Sequence, residues 1–225
     1  MRILYNKKIS LLVTDMTGTI LNDKKIFYNC IAQSLEKLDY SVDKREVLAW
    51  SGKSKNEILH NHISKFHSDL TDISPQVFTA SKLIDEAIDK AYFSKNSEVE
   101  LFPDVLRTLE RLNFYGMKIA LTTCQSKSLQ SKVVNKFGLY SKIDTFISKD
   151  EVKKGRPYPY MIYRAMEDNL ISDVKKVAKV GDTKFDLIEG KNAGCRLNIG
   201  VVTGVCSKRE LNYYSKSIID TFSEL

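Results

Sequence analysis

Hydrophobic and polar positions change their period twice along this chain. Ile9-Ser10-Leu11-Leu12-Val13-Thr14 is a short apolar, β-branched run, the pattern of a buried strand, and it leads into the turn Asp15-Met16-Thr17-Gly18-Thr19. From Asn22 to about Ser97 the period becomes helical. Ile26, Phe27, Ile31, Leu35 and Leu38 share one face, and a second helix is predicted over Asp43–Trp50, broken by Ser51-Gly52-Lys53. Ser54, with Glu57 three residues on, forms the S-x-x-E signature of a helix start. The apolar face of that helix is Ile58, Leu59, His62, Ile63 and Phe66. Ile84, Ala87, Ile88, Ala91 and Tyr92 mark one more helix before the polar linker Ser94-Lys95-Asn96-Ser97.

After Phe102 helices and strands alternate. Helices are predicted from about Asp104 to Leu112, Ser128 to Phe137, Pro159 to Glu167 and after Thr183 to Ala193. Strands are predicted over Lys118–Thr122, Ile143–Ile147, Lys176–Val180 and Arg196–Val202. Alternation of this kind gives a parallel sheet. The predicted fold class is therefore α/β: a Rossmann-like parallel sheet core with helices on both faces, plus a small all-helical cap inserted after the first strand. Residues 1–21 and 98–225 would form the core and residues 22–97 the cap, hinged near Leu21–Lys25 and Ser94–Leu101. Ligands of such sheets sit at the carboxyl ends of the strands, which singles out Asp15, Thr122-Thr123, the loop at Arg156, and Asp182.

Composition narrows the picture. The 225 residues are 43% hydrophobic and 28% charged, as in an ordinary globular protein and unlike a disordered chain. No apolar run approaches the length of a membrane span, and Met1–Lys8 has no secretory pattern. Cys30, Cys124, Cys195 and Cys206 form no C-x-x-C pair and read as reduced thiols, so a cytoplasmic location is expected. The net charge of +7 is spread along the chain with acidic residues interleaved, which argues against a nucleic-acid footprint and fits an anionic small substrate.

Candidate chemistry then concentrates at the strand ends. Asp15 follows a buried strand, and Gly18-Thr19 would bend the backbone and present N–H groups to an anion. Asp182 follows Val177-Ala178-Lys179-Val180 in the same way, with Asp186 one helical turn later. Carboxylates converging on one sheet edge call for a hard divalent cation, and Mg2+ suits oxygen ligands plus phosphate. Thr123 offers a hydroxyl, with Thr122 as the alternative. Arg156 offers a fork for phosphate oxygens, with Lys154 as the competitor. Asp186 is either a metal ligand or a group that holds the loop.

Four motifs in chain order resemble those of the haloacid dehalogenase superfamily of aspartate-dependent phosphohydrolases. They are Leu12-Val13-Thr14-Asp15-Met16-Thr17-Gly18-Thr19, Ile119-Ala120-Leu121-Thr122-Thr123, Gly155-Arg156-Pro157-Tyr158-Pro159, and Val180-Gly181-Asp182-Thr183-Lys184-Phe185-Asp186-Leu187. The resemblance implies phosphoryl transfer through an aspartyl-phosphate on Asp15. Mg2+ would be held by Asp15, the Thr17 carbonyl and Asp182, with Asp186 beside them. Thr123 and Arg156 would stabilise the phosphoryl oxygens.

Thr17 departs from the pattern, because most phosphatases of the superfamily have Asp there as general acid and base. Loss of that group costs about 10²–10⁴-fold, so the leaving group should need little protonation. P-type ATPases of the superfamily carry Thr here and phosphonoacetaldehyde hydrolases carry Ala. The wording Gly155-Arg156-Pro157-x-Pro159-x-Met161 and Gly200-Val201-Val202-Thr203-Gly204 is similar to the phosphonatase-like branch. In that branch a cap lysine forms a Schiff base with the aldehyde. Gly52-Lys53-Ser54-Lys55 has the matching spacing, which places Lys55 in that role. Helix-start geometry would favour its neutral amine. Ile58 stands where the branch has His, and Lys25 where it has Cys.

Gly52, Lys53, Lys55, Thr123, Cys124 and Arg156 are thus the candidate substrate contacts, with Cys124 as pocket lining. Cap closure would exclude water and bring Lys53 or Lys55 over the site. Gly52-Lys53-Ser54 is not a P-loop, since Val47 stands where its first Gly belongs. His60, His62 and His67 lack metal-ligand spacing, and His62 reads as packing. The expected activity is hydrolysis of a small phosphonate or phosphorylated metabolite by a monomer or homodimer, with no nucleic-acid or membrane partner. The alternatives are a slow, broad phosphomonoesterase and a non-catalytic ligand-binding protein marked by Thr17.

Overall fold

The computed structural model describes residues 4, 7–50, 52–67 and 69–225; Ser51 of the predicted helix break and most of Met1–Lys8 lie outside them. The chain divides into two compact units, Met1–Asn22 with Leu101–Leu225, and Asp23–Glu100.

The first unit is built on strands β1 (Leu11–Asp15), β4 (Lys118–Thr123), β5 (Thr145–Ser148), β6 (Val177–Gly181), β7 (Leu197–Val201) and β8 (Ser217–Ile219). They form one six-stranded sheet in the order β5-β4-β1-β6-β7-β8, parallel throughout. Short segments Leu21–Asn22 (β2) and Glu100–Leu101 (β3) pair as a separate ribbon. All five residues of β1 are buried, as a central parallel strand covered on both faces requires.

Helices α5 (Val105–Phe114), α6 (Lys127–Lys136), α7 (Tyr160–Asp168), α8 (Lys184–Ala193) and α9 (Lys208–Asn212) flank the sheet. Met161, Ile162 and Ala165 of α7 pack with Leu11 and Val13, the alternate residues of β1, and with Ala120, Ile147 and Val177. Each such large aliphatic side chain contributes about 1.5–3 kcal/mol by burial. Pro159 is the N-cap residue of α7 rather than its first helical residue. The α9 helix and β8 carry no sequence signal strong enough to predict, because one is barely more than a turn and the other a half-buried edge strand.

The second unit is helical: α1 (Ile26–Glu36), α2 (Lys44–Ala49), α3 (Lys55–Ile63) and α4 (Ser74–Phe93). Ser54 caps α3, its hydroxyl accepting the Glu57 N–H at 3.3 Å. Ile58, Leu59, His62 and Ile63 are buried as the periodicity predicts, whereas Phe66 is 42% exposed. The helix ends at Ile63, so the helical spacing that would have carried Phe66 inward stops before it. The α4 helix begins ten residues earlier than its apolar pattern suggests, at Ser74-Pro75, because only Val77 and Ala80 are buried in its first two turns.

Candidate active site

Parallel pairing brings the predicted strand ends together. Asp15 is in register with Thr122, and Thr14 with Val180, one residue before the end of β6. Asp182 follows β6 directly and Asp186 lies in the first turn of α8, where Thr183 caps the helix. One oxygen from each of Asp15, Asp182 and Asp186 lies within 4.8 Å of the others, and all three residues are buried.

Their environments differ. Burial pushes the Asp15 carboxyl up to about 6, with Asp186 adding repulsion and Arg156 and Lys179 pulling the other way. Asp182 is pushed well above the ordinary range by burial and then by Asp15 and Asp186. Burial acts on Asp186 too, but the cations Arg156 and Lys179 outweigh it and hold this carboxyl below its ordinary value. Asp182 Oδ2 accepts the Val205 N–H at 3.1 Å, while its Oδ1 is buried with no hydrogen-bond partner among the described residues. An orphan carboxylate oxygen beside two more carboxylates is a donor set that fits a hard divalent cation.

The backbone closes tightly on Asp182. A Cβ on Gly18, which adopts φ +88°, would lie 2.4 Å from Asp182 Oδ2, and one on Gly204 would lie 1.9 Å from it. Only glycine fits these approaches. The Gly18 N–H is not presented to an anion, contrary to the sequence reading. It donates to the Leu21 carbonyl at 2.8 Å, because the turn folds back on itself, and the Gly18 carbonyl accepts from Thr203 Oγ1 at 2.7 Å.

Arg156 is buried and its guanidinium is largely engaged. Nη1 donates to Asp15 Oδ1 at 2.5 Å, Nη2 to Thr122 Oγ1 at 2.8 Å, and Nε to Glu189 Oε2 at 3.1 Å. Its competitor Lys154 is exposed, with its ammonium 4.6 Å from the centre of the Tyr158 ring. Lys179 lies beside Arg156 with no exposed surface. Its Nζ is 3.0 Å from Asp186 Oδ1, 3.2 Å from Glu189 Oε2 and 3.1 Å from Thr122 Oγ1.

Neither Lys179 nor Glu189 was singled out by the sequence motifs. The available signal was a lysine inside an otherwise apolar strand, a position that requires a buried carboxylate partner. Asp186 and Glu189, three residues apart on α8, share the helix face that supplies it.

The two threonines of β4 now separate. Thr122 Oγ1 donates to the Thr14 carbonyl at 3.2 Å and accepts from Arg156 and Lys179, so its capacity is used inside the protein. Thr123 Oγ1 accepts the Gln125 N–H at 3.2 Å, and its proton is not part of that bond. Thr17 Oγ1 accepts from Gln125 Nε2 at 3.3 Å. Burial pushes the Cys124 thiol up to about 11, which keeps it a neutral lining group.

Gly52, Lys53 and Lys55 belong to the helical unit. Gly52 takes φ +77° and its N–H donates to the Tyr28 hydroxyl at 3.0 Å. Lys55 is the first residue of α3, and its Nζ lies 2.5 Å from Asp85 Oδ1 and 3.4 Å from the Ser81 carbonyl. His62 is a packed residue: its Nε2 is bonded to the Ser41 carbonyl at 3.1 Å, and its Nδ1 lies 3.2 Å from Glu46 Oε2 without a hydrogen bond. No helix among the described residues is long and apolar enough to cross a membrane.

Comparison with known proteins agrees with this geometry. Residues 12–199 match the family model of the haloacid dehalogenase-like hydrolases. A bifunctional phosphonoacetaldehyde hydrolase/aminoethylphosphonate transaminase of Clostridioides difficile is 28% identical over 91% of this chain, which spans 33% of that protein. A phosphonoacetaldehyde hydrolase of Latilactobacillus sakei is 28% identical over 83% of this chain and 70% of its own length. A phosphoglycolate phosphatase of Vibrio parahaemolyticus is 23% identical over 96% of this chain and 94% of its own. Among solved structures, a hydrolase of Pseudomonas syringae superposes with a TM-score of 0.82 at 16% identity, covering 96% of this chain and 95% of that one. The chain belongs to the haloacid dehalogenase-like hydrolases.

Proposed function

We propose that this hydrolase is a Mg2+-dependent phosphohydrolase of the phosphonatase-like kind, acting on a small phosphonate or phosphorylated metabolite whose leaving group departs with little protonation. The observation that carries this reading is the Asp15–Arg156 contact at 2.5 Å inside a buried three-carboxylate cluster.

Arg156 holds Asp15 Oδ1, and Thr19 Oγ1 makes only a long contact of 3.4 Å with Oδ2. Oδ2 is therefore the atom that attacks phosphorus. The Oδ2–P bond forms as the bond from phosphorus to the leaving group breaks, and the bonding pair departs with the leaving group. Water then cleaves the aspartyl-phosphate, yielding inorganic phosphate and the free carboxylate. Thr123 donates its proton to a phosphoryl oxygen, where charge is concentrated in the transition state. Asp15, Asp182 and the Thr17 carbonyl would hold the metal, with Asp186 next to them, and the ion would supply charge neutralisation of the phosphoryl group. Asp186 is already engaged by Lys179 and Thr183, which suits a residue that fixes the cluster.

Thr17 can neither protonate a leaving group nor activate water at neutral pH. That selects acyl phosphates, or phosphonates whose carbon leaving group is stabilised. For an aldehyde substrate Lys55 is the imine-forming candidate, and its amine must first leave Asp85.

The test is phosphate release with Mg2+ from phosphonoacetaldehyde, acetyl phosphate and sugar phosphates, with Asp15→Asn as the blank. Release from phosphonoacetaldehyde that disappears in Lys55→Arg establishes the imine route. Release from acetyl phosphate alone keeps the transfer chemistry and removes Lys55 from it. No release from any donor contradicts the reading and favours a ligand-binding role.

A further inference from the structure

Gln125 lies two residues beyond the end of β4 and is 7% exposed. Its backbone N–H is bonded to Thr123 Oγ1 at 3.2 Å and its side-chain Nε2 to Thr17 Oγ1 at 3.3 Å. Its Oε1 is buried and has no hydrogen-bond partner among the described residues. Leaving a buried amide oxygen without a hydrogen bond is destabilising, so this position calls for a donor. The same bond has a consequence for Thr17. With Gln125 Nε2 on one of its lone pairs, the Thr17 hydroxyl still has its own proton to donate.

The pair therefore offers one acceptor, Gln125 Oε1, and one donor, Thr17 O–H. Both lie close in sequence or by hydrogen bond to the residues assigned to the phosphoryl group: Thr17 is two residues from Asp15, and Gln125 is tied to Thr123. Neither group transfers a proton at neutral pH. Their chemistry is recognition. A purely packing role would be filled by Leu or Met, which bury no unpaired oxygen.

We infer that Gln125 and Thr17 form a neutral hydrogen-bonding couple that reads the leaving group, selecting phosphoryl donors that carry a hydroxyl or amino hydrogen-bond donor next to the transferred group. This rests on the phosphoryl-transfer reading above and adds the substrate feature that reading leaves open. Gln125 Oε1 accepts from that hydroxyl or amine, and the Thr17 hydroxyl donates to an oxygen of the leaving group.

Acetyl phosphate and hydroxyacetyl phosphate test this directly. Both leave as carboxylates that need no proton, and they differ by one hydroxyl. The quantity is the ratio of their Asp15-dependent kcat/KM values, which does not depend on how much of a variant is folded. The ratio in Gln125→Leu sets the intrinsic difference between the donors. Wild type is expected to favour the hydroxylated donor over that baseline by about 10-fold or more, as a site built to bond a hydroxyl does. Gln125→Glu keeps an acceptor and should retain part of the preference, and Thr17→Val should reduce it. The same ratio in wild type and Gln125→Leu would overturn the inference, whatever the absolute rates. No Asp15-dependent release from either donor would instead fail the phosphoryl-transfer reading itself, and the inference with it.

Discussion

The two units of this protein treat charge in opposite ways. In the α/β unit Asp15, Arg156, Lys179, Asp186 and Glu189 are buried and contact one another at 2.5–3.2 Å. Among the described residues of the helical unit, each lysine or arginine ion pair keeps at least one exposed partner. Lys55 meets Asp85, whose side chain is 59% exposed, and Lys65 meets Glu46 with the lysine side chain 54% exposed. Burying ions costs several kcal/mol each, and their attraction offsets this only when every partner is in place. Exposed pairs carry little such cost and contribute little. A buried ionic set adds little net stability, and this one includes Asp15 and Asp186, two carboxylates of the candidate site. The helical unit carries charge mainly as solvated surface.

The largest expected effect breaks the buried set. Lys179→Met leaves Asp186 and Glu189 facing Arg156 alone and should cost about 3–5 kcal/mol of stability by urea unfolding. Adding Glu189→Leu should recover much of that loss, because the uncompensated charge is then removed. A cost below about 1 kcal/mol for the single change would erase the contrast with surface pairs.

Next comes Gly204→Ala. Its methyl would lie 1.9 Å from Asp182 Oδ2 and must displace that carboxylate. Mg2+ affinity by titration calorimetry should fall about 10–100-fold, the usual cost of disturbing a ligand's support. Unchanged affinity would mean that Asp182 does not hold the ion.

On the other side of the comparison, Lys55→Ala should change stability by no more than about 1 kcal/mol, since its partner Asp85 is largely exposed.

The smallest effect concerns His62. Burial lowers its pKa, opposed by the nearby Glu46 carboxylate. The unfolded chain therefore binds more protons than the folded one as pH falls through about 6.5, and folding stability should decline there. Unfolding of wild type and His62→Gln at pH 7.5 and 5.5 measures this. Equal slopes would show that His62 contributes no linkage.

The same contrast explains what the sequence made legible. Apolar strands followed by Asp15 and Asp182 placed two carboxylates at one sheet edge, because period and strand order are local properties. The helical pattern between Asn22 and Ser97 is equally visible, but its spacing points Phe66 inward because nothing in it shows where α3 stops. Lys179 and Glu189 carry no local signal of their role, because their meaning is relational. A lysine in Val177-Ala178-Lys179-Val180 is interpretable only when the strand is known to be central and fully covered. Gln125 is silent in the sequence for the same reason, since its significance lies in a bond to Thr17 that spans 108 positions.

The proposed reaction turns on Asp15 receiving the phosphoryl group. The direct measurement is to mix the protein with Mg2+ and acetyl phosphate, quench in acid within the first turnovers, and map the modified peptide by mass spectrometry. Thr17 supplies no base to activate water, so the intermediate should accumulate. Transfer to Asp15 predicts one phosphoryl group on the peptide containing Asp15, lost on hydroxylamine treatment and absent from Asp15→Asn. Phosphate release in which that peptide is never labelled, or a label that persists in Asp15→Asn, would contradict it.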